Sequence, residues 1–331
     1  MELKKFDSID TAIESCPKNT TIIDNMVKAW TYINDNKYKK IACSISGGSD
    51  SDVMLDICWR CDKDNKIEYI WYDTGLEYQA TKDHLKALEE KYGIQIIREK
   101  ATKPIPYSCQ HMGQPFISKR VSEMMLRLQK NGFMWEDEDF DTLYAKYPNC
   151  KIALGWWCNV FECNAFNIKQ NKWLKEFILE NPPQFKISNK CCDYAKKKVV
   201  KSLIKKNKYN LNIFGIRKAE GGARVQAHKS CFDSKNDGCD TYKPLFWYTD
   251  DDKREYELHF GVIHSDCYTK YGLKRTGCAG CPYGRDFENE LKIIKEHELR
   301  LFTAVNNIFG QSYEYTRKYR EFCKAKNNAT K

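Results

Sequence analysis

The chain has 331 residues, 42% of them apolar, enough for one large core or two modest ones. Lys and Arg number 55 against 45 Asp and Glu, a net charge of +10 that suits an anionic partner, nucleic acid included, or a solvated lysine-rich face. No apolar run approaches the roughly 20 residues that span a bilayer. The opening Met1-Glu2-Leu3-Lys4-Lys5-Phe6-Asp7 lacks a signal-peptide core, so a cytoplasmic protein with no membrane partner is expected.

Apolar spacing in Thr11–Glu14 and Thr21–Trp30 predicts helices before about Asn36. Strand and helix then alternate: Lys40–Ser46 strand, Asp50 to about Lys63 helix, Ile67–Tyr72 strand, Glu77–Lys91 helix, Ile94–Arg98 strand. That alternation predicts an α/β fold, a Rossmann-like, doubly wound and mostly parallel sheet covered on both faces. Further on, Ser118–Leu128 and Trp173–Leu179 read as helices, Glu136–Asp139 as an exposed acidic run, and Leu211–Ile216 as a returning strand. A loop-rich, cysteine-containing region follows, then a helix around Glu288–Val305, with a charged helix and disordered tail expected after Gln311.

The most informative stretch is Ser46-Gly47-Gly48-Ser49-Asp50-Ser51, between the first strand and its helix. A strand that turns straight into a helix there presents unpaired N–H groups at the positive helix end, a site for phosphate. Gly47 and Gly48 allow close backbone approach, and Ser46, Ser49 and Ser51 add hydroxyl donors. Asp50 would repel phosphate unless a cation lay between, which implies magnesium. A Gly-Ser turn that merely caps a helix is the bland alternative. Ligands of such sheets lie off the strand carboxyl ends, so Asp73-Thr74-Gly75 should stand beside the loop, with Asp73 touching ribose or magnesium or serving only as turn chemistry.

Sixteen cysteines in a large chain without a signal segment favour metal binding over disulfides. Cys191-Cys192 and, some eighty residues on, Cys278-x-x-Cys281 supply two close pairs of thiols. Four soft ligands suit a 4Fe-4S cluster or a structural zinc, and adjacent cysteines aim more easily at separate irons of a cluster than at one ion. Cys267 is an alternative ligand in place of Cys191.

These residues carry a family resemblance. Ser-Gly-Gly-x-Asp-Ser resembles the PP-loop of the ATP pyrophosphatases, and the two thiol pairs resemble the cluster motif of assimilatory adenylylsulfate reductases, within the phosphoadenosine-phosphosulfate reductase family. Tyr72–Glu77, Gly215-Ile216-Arg217 with Glu220 and Arg224, Pro244–Asp252 and Tyr271–Cys278 resemble further segments of that family in the same order. The resemblance runs from about residue 38 to 285. It implies a helical segment over 1–36, a PP-loop domain over 37–285 with a helical insertion at about 101–190, and terminal helices over 286–331.

The tail departs from the sulfonucleotide reductases, which carry a Glu-Cys-Gly-x-His nucleophile segment; here it reads Glu321-Phe322-Cys323-Lys324-Ala325. The complete first loop instead implies ATP, as in the pyrophosphatases of DNA phosphorothioation and the cluster-bearing tRNA thiolation enzymes. On this resemblance Ser46, Gly47, Gly48, Ser49, Asp50, Ser51, Asp73, Gly215 and Arg217 bind nucleotide. Asp50, Arg217 and Arg224 act in catalysis, the two arginines gripping the α-phosphate or acceptor unless they are surface ion pairs. Cys191, Cys192, Cys278 and Cys281 hold the cluster. The implied partners are a nucleotide, a nucleic-acid acceptor and a sulfur-donor protein. Two other functions stay open: a phosphosulfate reductase, and a non-catalytic nucleotide- and cluster-binding regulatory or defence subunit.

Overall fold

A computed structural model describes residues 3–221, 228–235 and 238–329. The chain divides into two compact units, 1–101 with 196–278, and 102–195 with 279–331. These boundaries differ from those drawn on the resemblance: the insertion belongs with the C-terminal helices, because both contribute to one apolar core.

Unit one is the sheet. Strands β1 (Ile41–Ile45), β2 (Ile67–Asp73), β3 (Ile96–Lys100), β4 (Leu211–Phe214), β5 (Phe232–Asp233) and β6 (Asp240–Tyr242) lie in the order β3-β2-β1-β4-β6-β5. All neighbours pair in parallel except β5 with β6. The apolar run Ile41-Ala42-Cys43 is fully buried, as a central parallel strand covered on both faces requires. Helices α1 (Ile9–Glu14), α2 (Thr20–Asn34), α3 (Ser49–Cys61) and α4 (Gln79–Tyr92), with the helices Lys198–Asn207 and Asp250–Phe260, belong to the same unit. Ser8 and Asn19 cap the first two helices, accepting from Thr11 N, and from Thr21 N and Ile22 N. Chain order reverses at β1: β2 and β3 build to one side, β4 and β6 to the other. The carboxyl ends of β1 and β4 therefore meet at the switch point of the sheet.

A buried polar knot fixes three helices of this unit. Asp56 on α3 accepts from Arg60 Nε at 2.7 Å, from the Tyr92 hydroxyl at 2.9 Å and from the Tyr256 hydroxyl at 2.7 Å. Arg60 is 1% exposed and its guanidinium lies 4.7 Å from the centre of the Phe260 ring. A carboxylate and a guanidinium buried this deeply are tolerable only with such partners, so α3, α4 and the Asp250–Phe260 helix are locked in register.

Unit two is helical. Its helices are Ile105–Met112, Lys119–Lys130, Phe140–Lys146, Lys151–Trp157, Leu174–Glu180, Lys190–Cys192, Phe287–His297 and Leu299–Ala329. They enclose Phe116, Met125, Leu128, Trp156, Trp157, Phe177 and Ile178, with Tyr315 from the last helix packed on Phe116 and Phe177. Ser118 and Asp139 cap the helices that follow them. Gly113, at φ +105°, lets two distant segments meet: a Cβ there would stand 2.5 Å from Lys186 O, and Gln114 N donates to that same carbonyl at 2.8 Å. The tail expected to be disordered is instead helical to Ala329. Tyr315, Tyr319 and Phe322 repeat at helical spacing and bury a stripe that the charged residues around them obscure in sequence. No helix among the described residues is long and apolar enough to cross a membrane.

Candidate nucleotide site and thiol cluster

The site in unit one starts where β1 ends. The chain turns at Gly47, φ +64°, where a Cβ would stand 2.9 Å from Thr81 Cγ2 on α4, so only glycine fits without movement. Gly48 is the N-cap of α3 and offers no side-chain cap. The positive end of a 13-residue helix is thus left to backbone donors, the feature that favours an anion. Ser51 closes the loop by accepting from Ser46 N at 2.9 Å. Behind it, the Tyr268 hydroxyl accepts from Ser49 N at 3.1 Å and lies 3.0 Å from Thr276 Oγ1.

Asp50, first-turn residue of α3, is bonded by Arg217 Nε at 3.0 Å to both oxygens and by Lys253 Nζ at 2.9 Å. Lys253 also donates to Ser49 Oγ at 2.7 Å, and Arg217 Nη1 to Asp250 at 2.7 Å. Burial alone would raise the Asp50 carboxyl, but a hydrogen bond with Glu220 and the charges of Lys253 and Arg217 outweigh it and hold it near 2, lowered to about 2 from its ordinary 3.8. Two cations thus meet at Asp50.

A second layer lies beneath. His264 Nδ1 is 2.8 Å from Asp52 Oδ2, and its Nε2 is 2.9 Å from Glu257 Oε1, at ion-pair distance without hydrogen-bond alignment. Glu257 in turn stands 3.4 Å from Lys253 Nζ, and His84 Nε2 lies 3.0 Å from the other oxygen of Asp52. Burial works against the charged imidazole, yet the bonds to Asp52 and Glu257 prevail and raise His264 to about 9.

Of the residues expected to bind nucleotide, Ser46 to Ser51, Asp73, Gly215 and Arg217 all fall at the carboxyl ends of the adjacent strands β1, β2 and β4. Gly215 packs against the Asp50 backbone, its Cβ position 3.6 Å from Asp50 O. Asp73 is held at the end of β2: Gly75 N donates to one oxygen at 2.8 Å and Arg98 Nε to the other at 2.8 Å. Arg224 lies outside the described residues.

The thiols divide between the units. In unit two Cys191 is hydrogen-bonded to Cys109 and to Cys192, with Cys281 near enough to act on it electrostatically; the bond to Cys109 leads in raising the Cys191 thiol far above its usual range. The Tyr283 hydroxyl, buried without an aligned hydrogen-bond partner, feels Cys191, Cys192 and Cys281 too. A cleft of about 320 Å3 in this unit is lined by Cys109, His111 and Lys186 among others. Cys278 belongs to unit one, its Sγ 3.8 Å from Thr74 Oγ1 at the end of β2. Cys267 is wholly buried in unit one, 3.6 Å from Thr81 Oγ1. No group of three or more His, Cys, Asp or Glu among the described residues is arranged to hold one metal ion. The donor chemistry of Cys109, Cys191, Cys192 and Cys281, with an orphaned hydroxyl among them, fits a polynuclear cluster, whose ligands stand further apart than those of a single ion.

Sequence reasoning missed Lys253, Asp250, Asp52, Glu257, His264, Tyr268 and Cys109. One signal was present: Thr249 and Asp252 form a capping box, which starts a helix at Asp250 and puts Lys253 in its first turn.

Fold and loop together define an α/β protein with a glycine turn at the switch point of a mostly parallel sheet. Residues 40–130, which include β1, the loop, β2 and β3, match the family model of the phosphoadenosine phosphosulfate reductase domain. An uncharacterized protein of Methanocaldococcus jannaschii is 34% identical over 101 residues, 29% of this chain; the chain spans about a fifth of that relative's length, 21%. Two solved structures are similar in outline. The phosphoadenylyl-sulfate reductase of Candida auris, in a phosphate complex, has 11% identity and a TM-score of 0.41, covering 83% of this chain and 97% of its own. The U34-tRNA thiolase NcsA of Methanococcus maripaludis, with its 4Fe-4S cluster, has 13% identity and a TM-score of 0.37, covering 92% and 79%.

Proposed function

We propose that this protein is an ATP pyrophosphatase-type enzyme that adenylylates a nucleic-acid acceptor and replaces the activated oxygen with sulfur. The observation that carries the reading is the loop after β1: a helix start whose N-cap is a glycine, reached through a second, positive-φ glycine, with Arg217 and Lys253 beside it. A bare turn that merely caps a helix has no need of two buried cations.

In this reading the α3 amides and Ser49 hold the pyrophosphate portion of ATP, and Arg217 leaves Asp50 to grip the α-phosphate. An acceptor oxygen attacks the α-phosphorus, its bond to pyrophosphate breaks, and pyrophosphate leaves. Sulfur then attacks the acceptor carbon or phosphorus and AMP departs with the oxygen. The residues' task is positional and electrostatic: to fix the triphosphate in line and to take up charge on the departing pyrophosphate. Cys109, Cys191, Cys192 and Cys281 would hold the cluster, which when bound supplies iron able to carry sulfide. For the acceptor, the helix Lys198–Asn207 and its C-cap present Lys198, Lys201, Lys205 and Lys208 exposed at helical spacing with no acidic residue among them, a stripe suited to a phosphate backbone.

The test is anaerobic incubation of the whole protein with α-labelled ATP and, separately, with phosphoadenosine phosphosulfate. AMP and pyrophosphate from ATP support the proposal. Sulfite from the phosphosulfate would instead show a reductase, and nucleotide binding without turnover would show a regulatory subunit.

A further inference from the structure

We propose that Lys253 is a substrate-binding residue, the cation that reads the pyrophosphate half of the nucleotide, and that His264 is its positioning residue, acting through Glu257. The inference rests on the nucleotide site proposed above and specifies which phosphates each cation takes.

Lys253 reaches from its own helix to the loop after β1. Its side chain is 13% exposed, so it has surrendered most of its hydration, yet its Nζ ends on a loop hydroxyl, Ser49 Oγ at 2.7 Å, and on Asp50 at 2.9 Å. Ser49 is the first residue of α3 and Asp50 the second, so the ammonium stands at the helix end to which a phosphate would be drawn. An ammonium with three donors can keep one on Ser49 while another exchanges a carboxylate for a phosphate oxygen. Arg217, bonded to both oxygens of Asp50 and tied also to Asp250, is a separate cation that follows strand β4. Two cations on one carboxylate, carried by different elements, are suited to different phosphates of one chain: Arg217 the α, Lys253 the β and γ.

A long flexible lysine needs a fixed anchor if it is to discriminate. Glu257, one turn along the same helix, is 3.4 Å from Nζ, and His264 sits 2.9 Å from the same oxygen of Glu257 while its other nitrogen is 2.8 Å from Asp52 on α3. The imidazole thus joins the helix bearing Lys253 to the helix bearing the loop. Asp52 is 1% exposed and is shared with His84 on α4, so the chain of contacts ends in the packed interior and cannot drift.

Calorimetric titration of the whole protein with three probes, ATP, inorganic pyrophosphate and AMP, tests this on wild type, Lys253→Met, Lys253→Arg, His264→Gln and the Lys253→Met/His264→Gln double variant, each checked for folding by its thermal transition. Lys253→Met is expected to weaken ATP and pyrophosphate about ten- to a hundredfold and leave AMP within about twofold; Lys253→Arg restores part of the loss. His264→Gln is expected to weaken ATP and pyrophosphate about three- to tenfold, with AMP unchanged, and to add nothing to Lys253→Met. Equal loss for all three probes, or additive losses in the double variant, would reduce His264 to a structural role and overturn its part. ATP binding by Lys253→Met as tight as wild type overturns the assignment of Lys253 while leaving the nucleotide site standing. A wild type that binds neither ATP nor pyrophosphate overturns the site itself and this inference with it.

Discussion

The Tyr256 hydroxyl donates to Asp56 Oδ2 at 2.7 Å and so ties the helix that carries Lys253 to the helix that opens the phosphate loop. Asp56 is 0% exposed and Arg60, its ion-pair partner, 1%. Asp56→Ala leaves a buried guanidinium unpaired, and chemical denaturation should show a loss of about 3–5 kcal/mol. Tyr256→Phe removes one hydrogen bond to a charged group and should cost about 1.5–3 kcal/mol. Stability unchanged in Asp56→Ala would mean that the knot does not set the register of these helices.

His264 makes stability depend on pH in a defined window. Its folded pKa, about 9, lies above the ordinary 6.5, held there against burial by Asp52 and Glu257. A raised pKa means that the folded state binds the proton more tightly, so the contribution is complete below about pH 6.5 and is lost as pH rises through 9. Unfolding free energy measured from pH 6 to 10 should fall by about 3 kcal/mol through this group. His264→Gln should flatten that part of the curve. An identical slope in the variant would assign the pH dependence to another group.

The thiol set in unit two makes a prediction about iron. With Cys109 beside Cys191, Cys109→Ser should lower the iron and sulfide content of anaerobically prepared protein and bleach its visible absorption. Iron unchanged in Cys109→Ser and lost in Cys278→Ser would restore the quartet read from the sequence. Zinc without iron in wild type would remove the cluster.

The lysine stripe predicts a salt-dependent interaction. Replacing Lys201, Lys205 and Lys208 by Glu should weaken nucleic-acid binding and reduce the slope of log affinity against log salt by about 3, one per neutralised phosphate contact, without altering ATP affinity. An unchanged slope would mark the stripe as a solvated face.

The parallel sheet was legible because its central strands are buried on both faces and so read as continuous apolar runs, each ended by a glycine turn, as at Ile45 and Asp73. The loop was legible for the same reason: Gly47 and Gly48 stand at a strand end, where backbone conformation rather than packing chooses the residue. What surrounds the loop was not. Lys253 and His264 are some two hundred residues away and look like members of a charged surface helix and a loop, and only the Asp56–Tyr256 knot turns them inward. Cys109, an isolated thiol in a short helix, gave no spacing signal at all. The last helix hid its apolar stripe among lysines and arginines, so Tyr315, Tyr319 and Phe322 read only as part of a charged helix and tail.

The central claim is that the turn after β1 grips the phosphates of ATP, and Arg217 tests it most directly. Arg217 follows the carboxyl end of β4 and reaches Asp50 of the loop at 3.0 Å. Titration of ATP into wild type and Arg217→Gln, both showing intact thermal transitions, should give saturable binding in wild type that is weakened about tenfold or more in the variant. Equal affinity in the two proteins, or no ATP binding by wild type, would contradict the account.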